Sequence, residues 1–419
     1  MSEKYQIFYP GEYLDFEKSH VKERMKIASG EITPPPPPFK MDPRPITEEE
    51  ILAYNSKWNP YDPLYNDPEY ARAHGHKSVP AYPGFMAMPP MGIPGFPKNM
   101  ADLFYYTNDG TDIRYYRNVY AGDMLIPANE TLEFKDLTIP GSDLRMWYMG
   151  GEADCVDQNR EKIWRVKGNV RDAYRKIIDG SPAPSFSEYM ASWTEYFPPA
   201  HYTTDEDYEY IKSIWDQEVI NGDNTPYWED VPIGFELPKT CSDGPVTYMH
   251  MMYWHDIGNL SIFTREELFD PKVRATTFRD RFGAFLDETA LHYSGRNIPG
   301  FRAVWYNDTG AKLIARTLTN FVGTKGRVSR FSWRFFPFFK EMRTPLCADM
   351  FNKVPGMEGR DCDRHGSEGD TCIGRAVITD KYINERGEHC CEVMLWGEDL
   401  EGNIVQACPS EIVLPSKYD

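Results

Sequence analysis

The sequence predicts an α+β protein made of two similar units, each an antiparallel sheet wrapped around a helix. Three observations lead there. A helical segment followed by a run of strands occurs twice along the chain. Its 419 residues exceed what one ordinary core accommodates and suit two domains or one duplicated unit. A composition of 41% hydrophobic and 26% charged residues provides enough apolar material for packed cores.

Taken in order, residues 1–48 are polar and contain the run Pro34 to Pro38, expected to be extended, so they read as an arm. Residues 49–204 form the expected first unit. Thr47 before three glutamates is a fair N-cap for a short helix through Trp58, and a turn-rich stretch follows over 59–72. Residues 83–97 are rich in Met, Gly and Pro, so any helix there is broken or late. Strands are expected between Ile113 and Val170, with 144–149 and 162–167 pairing around Asn159. Residues 205–226 read as a linker whose helix spans 205–220 and leads to a second unit, 227–419. There Ala311, Leu313, Ile314, Leu318 and Phe321 recur near 3.6-residue spacing, predicting a helix over 309–321. Strands follow at 327–336, 373–380, 389–398 and 404–414, with a hairpin turn at 399–402.

A formal charge of −18 argues against a nucleic-acid partner, because phosphate binding needs excess Lys and Arg. No charged start precedes an apolar stretch, and no run approaches the roughly 20 apolar residues of a membrane span. Eight cysteines lie without Cys-x-x-Cys pairs, which suits reduced thiols and a cytoplasmic protein. The aromatic content of 14% suits sheet surfaces and apolar pockets, and a bulky core accounts for it equally.

Asp287 and His292 lie five residues apart, and Asn307, Asp308, Thr309 and Gly310 open the predicted helix. A carboxylate and an imidazole on one short segment can share a water, and a helix start offers a backbone N–H to a developing oxyanion. Such a set can add water to an activated double bond or remove it; an Asp and a His at this spacing also occur on ordinary turns. Asp308 reads first as a plain N-cap. His74 and His76 read as part of a turn rather than a metal site. The Asp361–Cys372 stretch, with two Cys, a His and several acids, reads as a solvated loop inserted between strands. Lys325, Arg327, Arg330 and Arg334 form a basic cluster, with Arg330 and Arg334 on one strand face; it either meets a phosphorylated ligand or balances surface charge.

Four stretches resemble the MaoC-like hydratases of the hotdog superfamily in their two-hotdog arrangement. They are Asp62-Pro-Leu-Tyr-Asn-Asp67 through Arg72 with Ala81-Tyr-Pro-Gly84; the 227–238 entry with Gly244-Pro-Val-Thr247; Asp287 and His292 through Gly310 to Gly323; and Asp399-x-x-Gly402 to Pro415. The resemblance implies two hotdog units and hydration of a 2-enoyl-CoA, or dehydration of a 3-hydroxyacyl-CoA, without a metal or redox cofactor. It implies that Asp287 and His292 activate water, that the Gly310 N–H polarises the thioester carbonyl, and that Asn307, Asp308 and Tyr65 lie near the substrate. The basic cluster would then meet CoA phosphates. The second half has Thr289 and Ala290 where the family's Asp-x-Asn-Pro-x-His has Asn and Pro, and the first half has Pro60 and Tyr65 in place of Asp and His. A degenerate first half implies a widened pocket for a bulky, possibly aromatic acyl chain. Alternatives on the same fold are a non-catalytic acyl-binding subunit of a hetero-oligomeric hydratase and, more remotely, an acyl-CoA thioesterase. A homo- or hetero-oligomer is expected.

Overall fold

The computed structural model describes residues 31, 44–87, 105–136, 144–175, 199–254, 262–286, 305, 308–334 and 347–418. The chain divides into two compact units, one of Met1–Arg44, Ala87–Ile113 and Met124–Trp193, the other of Pro45–Met86, Arg114–Asp123 and Thr194–Asp419. The helical segment that the sequence places early in the first half thus packs with the second unit.

The second unit begins with three helices whose caps are written in the sequence. Helix α1 (Glu48–Trp58) has Thr47 as N-cap. The Thr47 hydroxyl accepts from the Glu50 N–H, and the Glu50 carboxylate accepts from the Thr47 N–H, a reciprocal capping box. Helices α2 (Pro63–Asn66) and α3 (Pro68–Ala73) each start with proline after an aspartate cap, Asp62 and Asp67.

The first unit contains an antiparallel sheet in the order β2-β3-β4-β1, where β1 is Tyr105–Tyr115, β2 is Ile126–Asp136, β3 is Leu144–Val156 and β4 is Lys162–Arg175. The β3–β4 hairpin does turn at 157–161, where the Asp157 carboxylate accepts from the Asn159 and Glu161 N–H groups. Its register pairs Leu144 with Arg175 and Cys155 with Trp164, so 144–149 faces 170–175 rather than 162–167. The strands are longer than the apolar pattern indicates. The helix expected inside this sheet, broken or late over 83–97, lies mostly outside the described residues.

In the second unit α4 (Asp205–Asp216) is followed by β5 (Thr240–Cys241), α5 (Tyr248–Trp254), α6 (Arg265–Phe269), α7 (Pro271–Arg274) and a small hairpin, β6 (Phe278–Arg279) and β7 (Phe285–Leu286). Then come α8 (Thr309–Ile314), α9 (Arg316–Val322), β8 (Arg327–Arg334), α10 (Ala348–Phe351), β9 (Ile373–Ile383), β10 (His389–Glu398) and β11 (Ile404–Val413). The sheet runs β8-β11-β10-β9-β5, antiparallel at each pairing. Helix α8 packs on β9, β10 and β11, and α9 on β8, β9 and β11, so this sheet wraps its helix.

The single helix expected over 309–321 is two, separated by Ala315, whose carbonyl accepts from both Leu318 and Thr319 at 3.0 Å. A shared i+3 and i+4 acceptor marks a tightened turn. Every residue of α8 and α9 is buried. Its polar members therefore need partners, and three of them, Lys312, Arg316 and Asn320, recur at four-residue spacing that continues from the N-cap residue Asp308.

The other face of the sheet is covered by 347–372, which corrects the reading of 361–372 as a solvated loop. Cys347, Phe351, Val354 and Cys362 form one buried cluster with Val377, Met394, Trp396, Ile404 and Ala407. Arg364, buried within this segment, donates to Asp370 at 2.5 and 2.9 Å and to Asp399 at 2.6 Å. Of the acids in that stretch, Asp370 is an internal counter-charge, whereas Asp363 is exposed and pairs with Arg360. With both faces covered, Cys390 and Cys391 are each fully buried although neighbours on a strand point to opposite sides.

Candidate active site

Asp287, His292 and Asn307 lie outside the described residues. The described chain reaches Leu286, one residue short of Asp287, at the end of the β6–β7 hairpin. That hairpin is firmly docked. The Thr203 N–H donates to the Phe282 carbonyl at 2.9 Å, Arg279 donates to the Thr203 carbonyl at 2.8 Å, and the Tyr208 hydroxyl donates to the Gly283 carbonyl. Within the turn, the Asp280 carboxylate accepts from the Phe282 and Ala284 N–H groups at 2.8 and 2.9 Å. Burial nevertheless pushes Asp280 up to about 6.

At the start of α8 Asp308 is the N-cap residue, as its position predicts, but its side chain makes no capping bond to the helix. It pairs instead with Lys312 at 2.6 Å. Lys312 is almost fully buried, its ammonium 5.0 Å from the centroids of both Tyr54 and Trp58. Gly310 is a packing glycine. A Cβ there would lie 2.9 Å from the Trp305 ring and from the Gln406 amide oxygen. Trp305 presses harder on Gly366, where a Cβ would lie closer still to its ring, and the Gly366 carbonyl accepts the Trp305 backbone N–H at 3.0 Å.

Tyr65 is buried, packed edge-on against Tyr82 with centroids 5.8 Å apart. Burial first, then the nearby Asp62, raises its ionisation well above the usual range, so its hydroxyl keeps its proton. The Tyr82 hydroxyl donates to the Lys312 carbonyl at 2.7 Å, which links this layer to α8. Asp62, at the family's Asn position, accepts from the Leu64 N–H and is pushed up to about 6 by burial.

In the basic cluster, Arg327 is committed inward, to Glu388 at 2.5 Å and the Tyr115 carbonyl at 3.1 Å. Arg330 and Arg334 are half-buried and stand opposite Glu411 and Ala407 in the β8–β11 register. Lys325 is exposed ahead of the strand. Both ring nitrogens of His74 and His76 are engaged, His74 with the Tyr70 carbonyl and Asp223, His76 with the Tyr120 hydroxyl and the Thr324 carbonyl.

A charged network behind the helix involves residues that the local sequence patterns do not single out. Arg316 is 2% exposed; it donates to the Cys241 carbonyl and lies 3.6 Å from Asp243. Asp243 also takes Arg265 at 3.0 Å and the Tyr61 hydroxyl at 2.9 Å, while Arg265 reaches Glu218 at 2.7 Å. Asn320 closes the set, donating to Glu218 and accepting from Asn59. Its signal in the sequence is the four-residue spacing of Asp308, Lys312, Arg316 and Asn320.

Residues 37–165 match a family model described as FAS1-like, dehydratase domain region, which is less than half of the chain. No curated protein sequence matches the chain. Among solved structures it is similar to a MaoC-like dehydratase at 12% identity, covering 90% of this chain and 97% of that one with a TM-score of 0.47. It is similar also to a MaoC-like dehydratase from Phytophthora capsici, at 12% identity, 89% and 93% coverage and a TM-score of 0.37. A third is a conserved hypothetical protein from Mycobacterium tuberculosis with a double hotdog fold, at 12% identity, 89% and 93% coverage and a TM-score of 0.41. The chain thus combines a dehydratase-type region in its sequence with an antiparallel sheet that wraps a buried helix, an α+β arrangement.

Proposed function

We propose that the protein is a hydro-lyase acting on an acyl-CoA thioester, interconverting a 2-enoyl-CoA and a 3-hydroxyacyl-CoA. The observation that carries this reading is the dehydratase-region match over residues 37–165. Asp287 and His292 are the dyad we assign, from their spacing in the sequence. In hydration His292 takes a proton from water while Asp287 orients it; the oxygen attacks Cβ, and a proton is delivered to Cα. The thioester oxygen, negative in the enolate, is received by backbone N–H at Gly310. Lys312 supports this assignment, because it neutralises Asp308 beside the position where that charge develops. Asn307 and Tyr65 complete the substrate contacts, and Arg330, Arg334 and Lys325 are assigned to CoA phosphates; Arg327, tied to Glu388, is the weakest member of that set. Water addition itself needs no metal or redox cofactor. The aromatic content supports a bulky acyl group, and we place the protein in the cytoplasm as an oligomer.

The test is hydration of a panel of enoyl-CoA esters, short and bulky, by the purified chain and by His292→Ala and Asp287→Asn. Each variant is expected to lose about 100-fold or more in kcat with little change in KM. Undiminished hydration by His292→Ala would remove the dyad. A second reading, a non-catalytic acyl-binding subunit, is favoured by Pro60 and Tyr65 in the first half. It predicts acyl-CoA binding without turnover until a partner subunit is added.

A further inference from the structure

Helix α5 is closed at its start by a histidine. Thr247 stands immediately before the helix, and His250 is its third residue. The His250 N–H points to the Thr247 hydroxyl oxygen at 3.5 Å, and Nδ1 of His250 lies 3.1 Å from the Thr247 N–H and 2.8 Å from its hydroxyl. This is the reciprocal geometry of a capping box in which glutamate or glutamine is the usual third residue. A backbone N–H can only donate, so Nδ1 must accept, and the imidazole is neutral with its proton on Nε2.

The ring also supports an aromatic stack. His250 packs on Trp254 with centroids 5.5 Å apart, Trp254 stacks on Trp58 of α1 at 5.4 Å, and the Lys312 ammonium covers Trp58. Among the described residues, the carboxylates around α5 are already engaged with other partners. Asp243 is the carboxylate acting on His250, but it is held by Arg265, Arg316 and Tyr61. Glu368 accepts from the Tyr248 N–H and pairs with Arg281. Lys57 and Lys312, nearby on α1 and α8, are cations.

We propose that His250 is an acid-sensitive latch: a proton on Nδ1 turns the acceptor of the capping box into a donor, opens the start of α5 and frees Trp254 from Trp58. Burial lowers this imidazole to about 4, so the latch is closed at neutral pH and opens as acid approaches that value. His250→Gln separates the latch from the fold, since glutamine supplies a neutral acceptor at the same place.

The experiment follows amide hydrogen exchange of residues 248–251 and tryptophan fluorescence of the full chain from pH 6.5 downward. In the wild type the protection of these amides is expected to fall, between about pH 6.5 and 4, by up to about tenfold per pH unit beyond the intrinsic rate change, the slope that one proton imposes, and to level off below that window. The fluorescence changes with it, before global unfolding. His250→Gln loses this step, while His365→Gln keeps it. The same local step in His250→Gln would overturn the latch, as would a wild-type chain that unfolds globally with no earlier opening at α5.

Discussion

At the scale of single residues, the buried charges of the second unit set the largest penalties. Arg316 sits on the fully buried α9 and balances Asp243, with Arg265 and Glu218 completing a set of two cations and two anions. Removing one partner strands the others in a place where water cannot compensate. Arg316→Met keeps most of the volume and removes the charge. It should cost about 3–5 kcal/mol in urea unfolding, the range for breaking a buried pair. Lys212→Met is the contrast: Lys212 and Asp216 form an exposed i,i+4 pair on α4, and the change should be nearly neutral. Equal losses in the two variants would show that the network is solvated in solution.

At the scale of elements, the local signals were legible where the sequence carries its own caps and periods. Thr47 with Glu50, the apolar run over 389–398 and the turn at 399–402 all correspond to the expected elements. What was not legible came from tertiary packing. The division of one helix at Ala315, the coverage of the sheet by 347–372 and the register of β3 on β4 leave no local trace. The β6–β7 hairpin is another such case, since nothing local announces that Gly283 must approach Thr203 closely. Gly283 has φ +81°, and a side chain there would collide with the Thr203 carbonyl. Gly387 has a similar φ of +76° but open space around it. Gly387→Ala should cost about 1 kcal/mol, for backbone strain alone. Gly283→Ala should cost clearly more, because the hairpin must also leave its dock. If our assignment of Asp287 holds, Gly283→Ala lowers kcat as well, since the hairpin ends one residue before it.

At the scale of the whole molecule, the class of fold was legible because a helix followed by strands repeats, whereas the division into units was not. Residues 45–86 precede the first unit's strands in the chain yet pack with the second unit, a long-range choice that no local pattern encodes. Of the site, the sequence offers the dyad, the helix start and the basic cluster; the counter-charges that hold the helix come from distant segments. Among the described residues of that second unit, four titrating groups, Asp62 and His365 buried and His250 and Asp280 half-buried, have effects on stability that oppose each other. His250 and His365 are lowered to about 4 by burial, while Asp62 and Asp280 are raised to about 6. For the histidines the unfolded chain binds more protons, so their contribution is present above about 6.5 and is lost as pH falls toward 4. For the aspartates the folded chain binds more protons, so theirs is present below about 3.8 and is lost as pH rises through about 6. Near pH 5 two slopes of each sign nearly cancel. These four groups together should therefore add almost no pH dependence to urea unfolding between about 4.5 and 5.5. Removing one histidine, as in His250→Gln, leaves the aspartates in excess, and stability relative to the wild type should then rise on acidification across that window. Asp62→Asn with Asp280→Asn should reverse the trend, so that stability falls with acid. An Asp62→Asn, Asp280→Asn double variant whose pH trend matches that of the wild type would mean that these two carboxyls are solvated and ionised in the folded protein.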